Sequence, residues 1–346
     1  MNLNLFSRLT LLVSLAVTSV GASAQTSPQF AGPPFSALFV FGDSLSDGGN
    51  NNLVFGGLAG PNPTGPTFIA SLPYPAAPGN RPTYSNGPVW VNSFAAGLGL
   101  ATFATPSLFG GGNYAYGGAR MAINGTGAPP FAPAPFPASL QTQLSGYLST
   151  NTVTSSALYV IAGGGNDVRA VGDAVALNPG ALVSLTTAGA TAFATSAAGM
   201  VSTLRSRGAQ NIVVWNVPDV GKTPAFGSGV GPAAGAASFI AGAFNSALAT
   251  ALTGSGATIF DTFGAINNFV ANPSSFGFTN VTQACGFAGN GCNASTALFW
   301  DGIHPTAFAQ TVIANQMLAV AAIPEPASML LMGMGILALL AWRRRA

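Results

Sequence analysis

The sequence carries little charge and almost nothing that titrates near neutral pH. Of 346 residues, ten are Lys or Arg, eight are Asp or Glu, and one, His304, is histidine. Cysteine occurs twice, as Cys285 and Cys292. Four of the ten basic residues are Arg8 and the terminal Arg343, Arg344 and Arg345. Without these and Glu325, six basic residues (Arg81, Arg120, Arg169, Arg205, Arg207, Lys222) stand against seven aspartates, a formal charge of −1 for the body. No basic stripe is left to neutralise phosphates, so nucleic acid is excluded as a partner. Two thiols and one distant imidazole make a poor zinc cage, so no metal is expected. No Gly-x-Ser-x-Gly elbow of the α/β-hydrolase type occurs. Gly221-Lys222-Thr223 ends like a phosphate-binding loop, but Asn216 stands where its first glycine belongs and Pro224 follows at once.

What is plentiful is apolar side chain, 49% of the residues, enough to bury a sizeable core and to exclude disorder. Neither an internal repeat nor a second domain is visible. Residues 1–24 read as a secretory signal: Arg8, an apolar run from Leu9 to Val20, then the small residues Ala22-Ser23-Ala24 before Gln25. That run is too short to cross about 30 Å of hydrocarbon as a helix, which argues against a membrane anchor. Cys285 and Cys292 would then meet an oxidising compartment, where so close a pair is expected to form a disulfide.

At the other end, Ile323-Pro324-Glu325-Pro326 precedes an apolar stretch from Met329 to Trp342 and three arginines. This segment resembles a PEP-CTERM sorting tail. The resemblance implies transient membrane retention with the arginines on the cytoplasmic side, processing by an exosortase-type enzyme, and delivery to the cell surface or beyond. A permanent single-span anchor is the alternative. The expected organisation is a signal over 1–24, one folded body over 25–322 and a sorting tail over 323–346.

Within the body, Ala37-Leu38-Phe39-Val40-Phe41 is a short apolar run that ends in glycine, as a buried parallel strand does. The pattern returns at 157–162, 211–217 and 257–260, each run closing on a turn. Ala-rich segments with helical potential lie between and after them, at 182–207, 233–252 and 306–320. Strand then helix, repeated, predicts an α/β fold with a doubly wound, mainly parallel sheet in three layers. The stretch from Asn50 to Pro137 is crowded with Gly, Pro and Asn and reads as long loops with short elements over the C-terminal edge of the sheet.

A hydroxyl becomes a competent nucleophile when an adjacent base takes its proton, and that base must be held in one tautomer. Any such base here is His304, and Asp301, three residues before it, can hold it. Two segments carry a resemblance. Phe41-Gly42-Asp43-Ser44-Leu45-Ser46-Asp47 resembles the first block of the GDSL (SGNH) lipases and esterases, and Asp301-Gly302-Ile303-His304-Pro305 resembles their last. The resemblance implies the flavodoxin-like SGNH-hydrolase fold with Ser44 as nucleophile, His304 as base and Asp301 as its orienting partner. It also implies an oxyanion hole built from the Ser44 amide, a backbone amide of the block 113–119 and the side chain of Asn166 in Gly163-Gly164-Gly165-Asn166-Asp167. In the glycine block Gly118 is expected to donate, with Gly117 as the alternative. Asp43, Asp47 and Asp167 are read as shaping their loops.

The expected activity is hydrolysis of carboxylic esters by an exported serine esterase or lipase, with an acyl-enzyme intermediate and no metal or organic cofactor. Expected partners are the ester substrate, the signal peptidase and the tail-processing enzyme. An acyltransferase of the same fold and a non-catalytic surface or matrix protein are the alternatives.

Overall fold

The computed structural model describes residues 35–56, 82–131 and 133–321. The expected signal and the expected sorting tail lie outside the described residues. Four parallel strands form the main sheet in the order β1 (Leu38–Gly42), β2 (Leu158–Ala162), β3 (Asn211–Trp215) and β4 (Thr258–Phe260). They fall on the four apolar runs of the sequence. β2 is buried throughout and β1 and β3 nearly so, as expected for strands covered on both faces.

The far side of β1 is also paired. Val40 N–H donates to Gly112, Tyr114 N–H to Val40 and Tyr116 N–H to Gly42, at 2.9, 2.8 and 3.1 Å. The extended segment 112–116 therefore runs alongside β1 as a fifth, edge position, with a parallel bridge between Val40 and Asn113. The chain leaves β1 for this edge and then returns across β1 to β2. Parallel crossovers are right-handed, so reversing the direction of travel at β1 places the connecting helices on opposite faces.

The core shows this division. Phe41, Tyr159, Ile161, Ile212 and Val214 face one layer made by α3 (Leu140–Thr150), α5 (Leu182–Ser206) and α6 (Gly231–Ala251). The alternate residues Val40, Val160, Val213 and Trp215 face the other layer, made by α2 (Trp90–Gly97), α7 (Thr262–Ala271) and α8 (Ala307–Ala321). α5 shows why these sequences fold as helices against a sheet: Ala190, Phe193, Ala197, Met200 and Leu204, spaced three or four apart, bury one stripe. A Leu→Ala change in such a stripe costs about 2–5 kcal/mol.

Between Asn50 and Pro137, where the sequence suggests long loops with short elements, the described residues hold α1 (Asn50–Val54), α2 and the edge segment 112–116. α2 covers a face of the sheet, with Trp90, Val91 and Phe94 fully buried against α8 and the strands. α4 (Gly165–Leu177) is a further helix not expected from propensity, because it begins in a glycine run. Near the C-terminus β5 (Asn280–Ala284) and β6 (Ala297–Phe299) make a separate two-stranded parallel pair.

Candidate active site

β1 is the strand at which the winding reverses, and a ligand crevice forms at the carboxyl end of such a strand. There Gly42 leads directly into Asp43-Ser44. The side chain of Gln143 on α3 fixes the exit of the strand, accepting from Gly42 N–H at 2.8 Å and donating to its carbonyl at 2.9 Å. The turn is then tied locally: Asp43 Oδ1 accepts from Leu45 N–H at 3.0 Å, and the Asp43 carbonyl accepts from the amides of Ser46 and Asp47. Asp47 gathers the next amides, from Gly49, Asn50 and Asn51, and reaches across to Gly117 N–H at 2.9 Å. One carboxylate thus joins the loop after β1 to the glycine block.

Asp301 and His304 come from the turn between β6 and α8. Asp301 Oδ1 accepts from the amides of Ile303 and His304 at 2.8 and 2.7 Å, while its Oδ2 lies 2.7 Å from His304 Nδ1. The other ring nitrogen, Nε2, lies 2.8 Å from Ser44 Oγ. Ser44, His304 and Asp301 are exposed by 8, 4 and 0%, so this chain is screened from water at its inner end and open only at the serine. Burial alone would raise the Asp301 pKa, but the charge and ring N–H of His304 and the two backbone amides outweigh it and hold the carboxyl below its ordinary value. Burial prevails at Asp43 and Asp47, both pushed up to about 6.

Of the expected oxyanion donors, Asn166 stands in the first turn of α4 and lines the same cavity as Ser44 and His304. Its Nδ2 donates to the Ala119 carbonyl at 3.0 Å, and its Oδ1 accepts from Arg169 Nη1 at 3.4 Å. One Nδ2 hydrogen is thereby taken and the second is left. The two glycines differ in the same way: Gly117 N–H is taken by Asp47, whereas neither Gly118 N–H nor Ser44 N–H donates to another described residue. Gly118 has φ +83°, a backbone state that disfavours any side chain. A Cβ on Gly117 would lie 2.2 Å from the Tyr84 ring.

Several supporting residues have no local signature in the sequence. The Tyr84 ring packs on His304 at a centroid distance of 5.2 Å, and its hydroxyl accepts from Asn51 Nδ2 at 2.6 Å. Ser85 Oγ donates to the Pro305 carbonyl at 2.8 Å, and Asn86 Oδ1 accepts from Ala307 N–H at 2.7 Å. Trp90 Nε1 donates to Ser46 Oγ at 3.0 Å. The turn Tyr84-Ser85-Asn86 before α2 therefore holds the histidine turn from outside. Only its Ser-Asn-Gly punctuation hinted at a constrained turn.

Cys285 and Cys292 are joined as a disulfide, with Cα atoms 5.5 Å apart. The adjoining amides of Cys285 and Gly286 donate to the carbonyls of Phe299 and Trp300 at 3.0 and 2.7 Å. The closed loop is fastened to the two residues that precede Asp301.

Residues 38–317 match the family model of the GDSL-like lipase/acylhydrolases, and residues 322–345 match the PEP-CTERM protein-sorting motif. Esterase EstA of Pseudomonas aeruginosa is 32% identical over 361 aligned positions, covering 88% of this chain and 49% of the esterase, so the chain spans about half the length of that relative. A GDSL esterase/lipase of Arabidopsis thaliana is 28% identical, covering 82% of this chain and 90% of the plant protein. Among solved structures, an acetyl xylan esterase aligns over 83% of this chain and 100% of its own at 12% identity and TM-score 0.42. Phospholipase A1 of Streptomyces albidoflavus aligns over 84% of this chain and 100% of its own at 15% identity and TM-score 0.40. With the family model covering the whole body from β1 to α8, the chain belongs to the GDSL lipase/acylhydrolase family and carries a PEP-CTERM sorting motif behind it.

Proposed function

We propose that the protein is an exported serine esterase or lipase that hydrolyses carboxylic esters through Ser44, His304 and Asp301. The observation that carries this reading is the hydrogen-bond chain Ser44 Oγ to His304 Nε2 at 2.8 Å and His304 Nδ1 to Asp301 Oδ2 at 2.7 Å. Asp301 holds the proton on Nδ1, which leaves the Nε2 lone pair facing the hydroxyl. As Ser44 Oγ attacks the ester carbonyl, its proton passes to Nε2 and the imidazolium is stabilised by the carboxylate. Negative charge gathers on the former carbonyl oxygen, where the Ser44 and Gly118 amides and the second Nδ2 hydrogen of Asn166 can receive it. Such preorganised donors are worth about 3–4 kcal/mol each. His304 then protonates the leaving alcohol, and the same base activates the water that releases the acid.

The purified body, assayed on p-nitrophenyl esters of graded chain length beside its Ser44→Ala variant, tests this reading. Turnover is expected in the native protein and not in the variant. Equal turnover in both would remove Ser44 as nucleophile, no turnover in either would favour a non-catalytic surface protein, and acyl transfer to added alcohol beyond hydrolysis would favour an acyltransferase.

The sorting motif supports export, with exosortase-type processing near Pro324-Glu325-Pro326 after transient retention in the membrane. Mass spectrometry of surface-associated or released protein from the native host is expected to find a C-terminus near residue 324. An intact Arg343-Arg344-Arg345 terminus would point to a permanent anchor instead.

A further inference from the structure

α4 is the least buried of the long helices. Of its 13 residues only Val168 is fully buried, although the helix begins at the oxyanion side chain Asn166 and lies against α5 and α6. An apolar cavity of about 360 Å³ opens between α4 and α6, with Gly172, Val175, Pro179, Phe226, Ala236 and Ile240 among its walls. The cavity at Ser44 is smaller, about 70 Å³, and also mostly apolar, with Leu45, Trp215, Val220, Ile266 and Ile303 among its walls. Among the described residues Arg169 alone lines both.

At roughly 10–15 Å³ for each water-sized position, the space at Ser44 holds about five such positions, room for a short acyl group and little more. The space beyond Arg169 is larger. Arg169 is the side chain at the border of the two. Its guanidinium donates to Asn166 Oδ1 at 3.4 Å and feels the charges of Asp173, Asp43 and Asp301 without forming a salt bridge among the described residues, and its aliphatic stem can lie along apolar surface. The far cavity also has a gap in its wall: a Cβ placed on Gly172 would meet no atom within 4 Å.

We propose that the acyl chain of a longer ester passes from Ser44 alongside Arg169 into the cavity between α4 and α6, and that Arg169 sets the chain length accepted. This rests on the esterase reading. Short esters fill the near cavity with Arg169 in place; longer ones displace its stem and bury their distal methylenes against α4 and α6, where the hydrophobic effect favours them.

The test is the ratio of kcat/KM for p-nitrophenyl decanoate to that for p-nitrophenyl acetate, which cancels any general loss of activity. It is measured for the native protein, Arg169→Ala and Gly172→Leu, with circular dichroism and thermal melts to establish folding. Removing the Arg169 side chain is expected to raise the ratio at least about fivefold, and filling the far cavity to lower it at least about tenfold, because each methylene excluded from an apolar pocket costs roughly tenfold or more. A ratio within twofold of native in folded, acetate-hydrolysing Gly172→Leu overturns the route and leaves the esterase reading standing. In a second series, acetyl esters of lengthening alcohols, Gly172→Leu is expected to change nothing; a selective loss there would assign the cavity to the alcohol and overturn the acyl assignment. Failure of the native protein to hydrolyse any ester overturns the esterase reading and the inference with it.

Discussion

The two sides of Ser44 are built in opposite ways. Toward β1, the glycine block and the histidine turn, nearly every backbone group near the serine is fixed by a buried side chain: Gln143 on Gly42, Asp47 on four amides, Asp301 on two, Ser85 on Pro305. Along α4 most side chains are not buried, a cavity adjoins the helix, and the one hydrogen bond of Arg169 is long, at 3.4 Å. Chemistry needs atoms held to within fractions of an ångström, because donors that must swing into place lose most of their value in the transition state. Binding an alkyl chain has no such requirement. The densest hydrogen bonding thus lies on one side of Ser44 and the empty space on the other.

The largest test of that contrast lies on the rigid side. His304→Ala is expected to lower kcat by about 10⁴-fold or more, with little added by combining it with Ser44→Ala, since groups that act as a unit are not additive. His304 is the single histidine of the chain, so none can substitute for it. Near-normal turnover of the variant in a steady-state assay would end the mechanism. Asn166→Ala comes next, with an expected loss of about 100- to 1000-fold in kcat and a small change in KM. A loss confined to KM would mean that the side chain serves binding and does not receive the oxyanion charge.

The disulfide extends the rigid side outward. Cross-linking a loop as short as 285–292 is worth about 2–3 kcal/mol on the chain-entropy account. Cys285→Ser with Cys292→Ser should therefore unfold at a lower urea concentration by an amount of that order. Loss of kcat in the still-folded variant would show that the bridge also steadies the Asp301-His304 turn through Phe299 and Trp300.

Asp167, at the foot of α4, connects the two sides. Both its oxygens accept from Met121 N–H, at 3.2 and 3.0 Å, and burial pushes its pKa up to about 7 from an ordinary value of 3.8. A carboxyl raised on folding binds its proton more tightly in the native state, so its contribution is full below about pH 4 and falls away as pH rises through about 7. Stability should thus decline between those values. Asp167→Asn should flatten the decline in urea midpoints measured across that range.

How much of this could be read in the sequence depended on how local its cause was. The four strands were legible because a strand buried on both faces is a short apolar run, and β1 to β4 lie within a residue or two of those runs. Helices α5, α6 and α8 were legible from alanine-rich propensity. The edge segment 112–116 was not, because Gly112-Asn113-Tyr114 has no apolar period and its extended shape comes from three hydrogen bonds to β1. α4 was hidden by its opening glycines and by Gly172 in its middle. Ser44, Asp301 and His304, which the structure brings within hydrogen-bond distance in a chain, sit in short motifs, as does Asn166 in the same cavity wall. Tyr84, Gln143 and Arg169 reach the serine only through the folded chain, from positions that carry no mark of their own.

The smallest expected effect probes the open side directly. Gly172 stands inside α4, where glycine is about 0.5–1 kcal/mol worse than alanine because the unfolded chain is freer and the helix gains no side-chain contact. Gly117, under the Tyr84 ring, has no room for a side chain. Gly172 is the reverse, since a methyl group there would meet nothing within 4 Å. Gly172→Ala should therefore raise the melting temperature by about 1–3 °C, the shift that a gain of this size produces in a domain of this length, while the acetate activity stays as it was. A lowered melting temperature would mean that α4 packs down in solution and closes the space beside it. The contrast between a fixed side and an open one would then hold only at the level of hydrogen bonds.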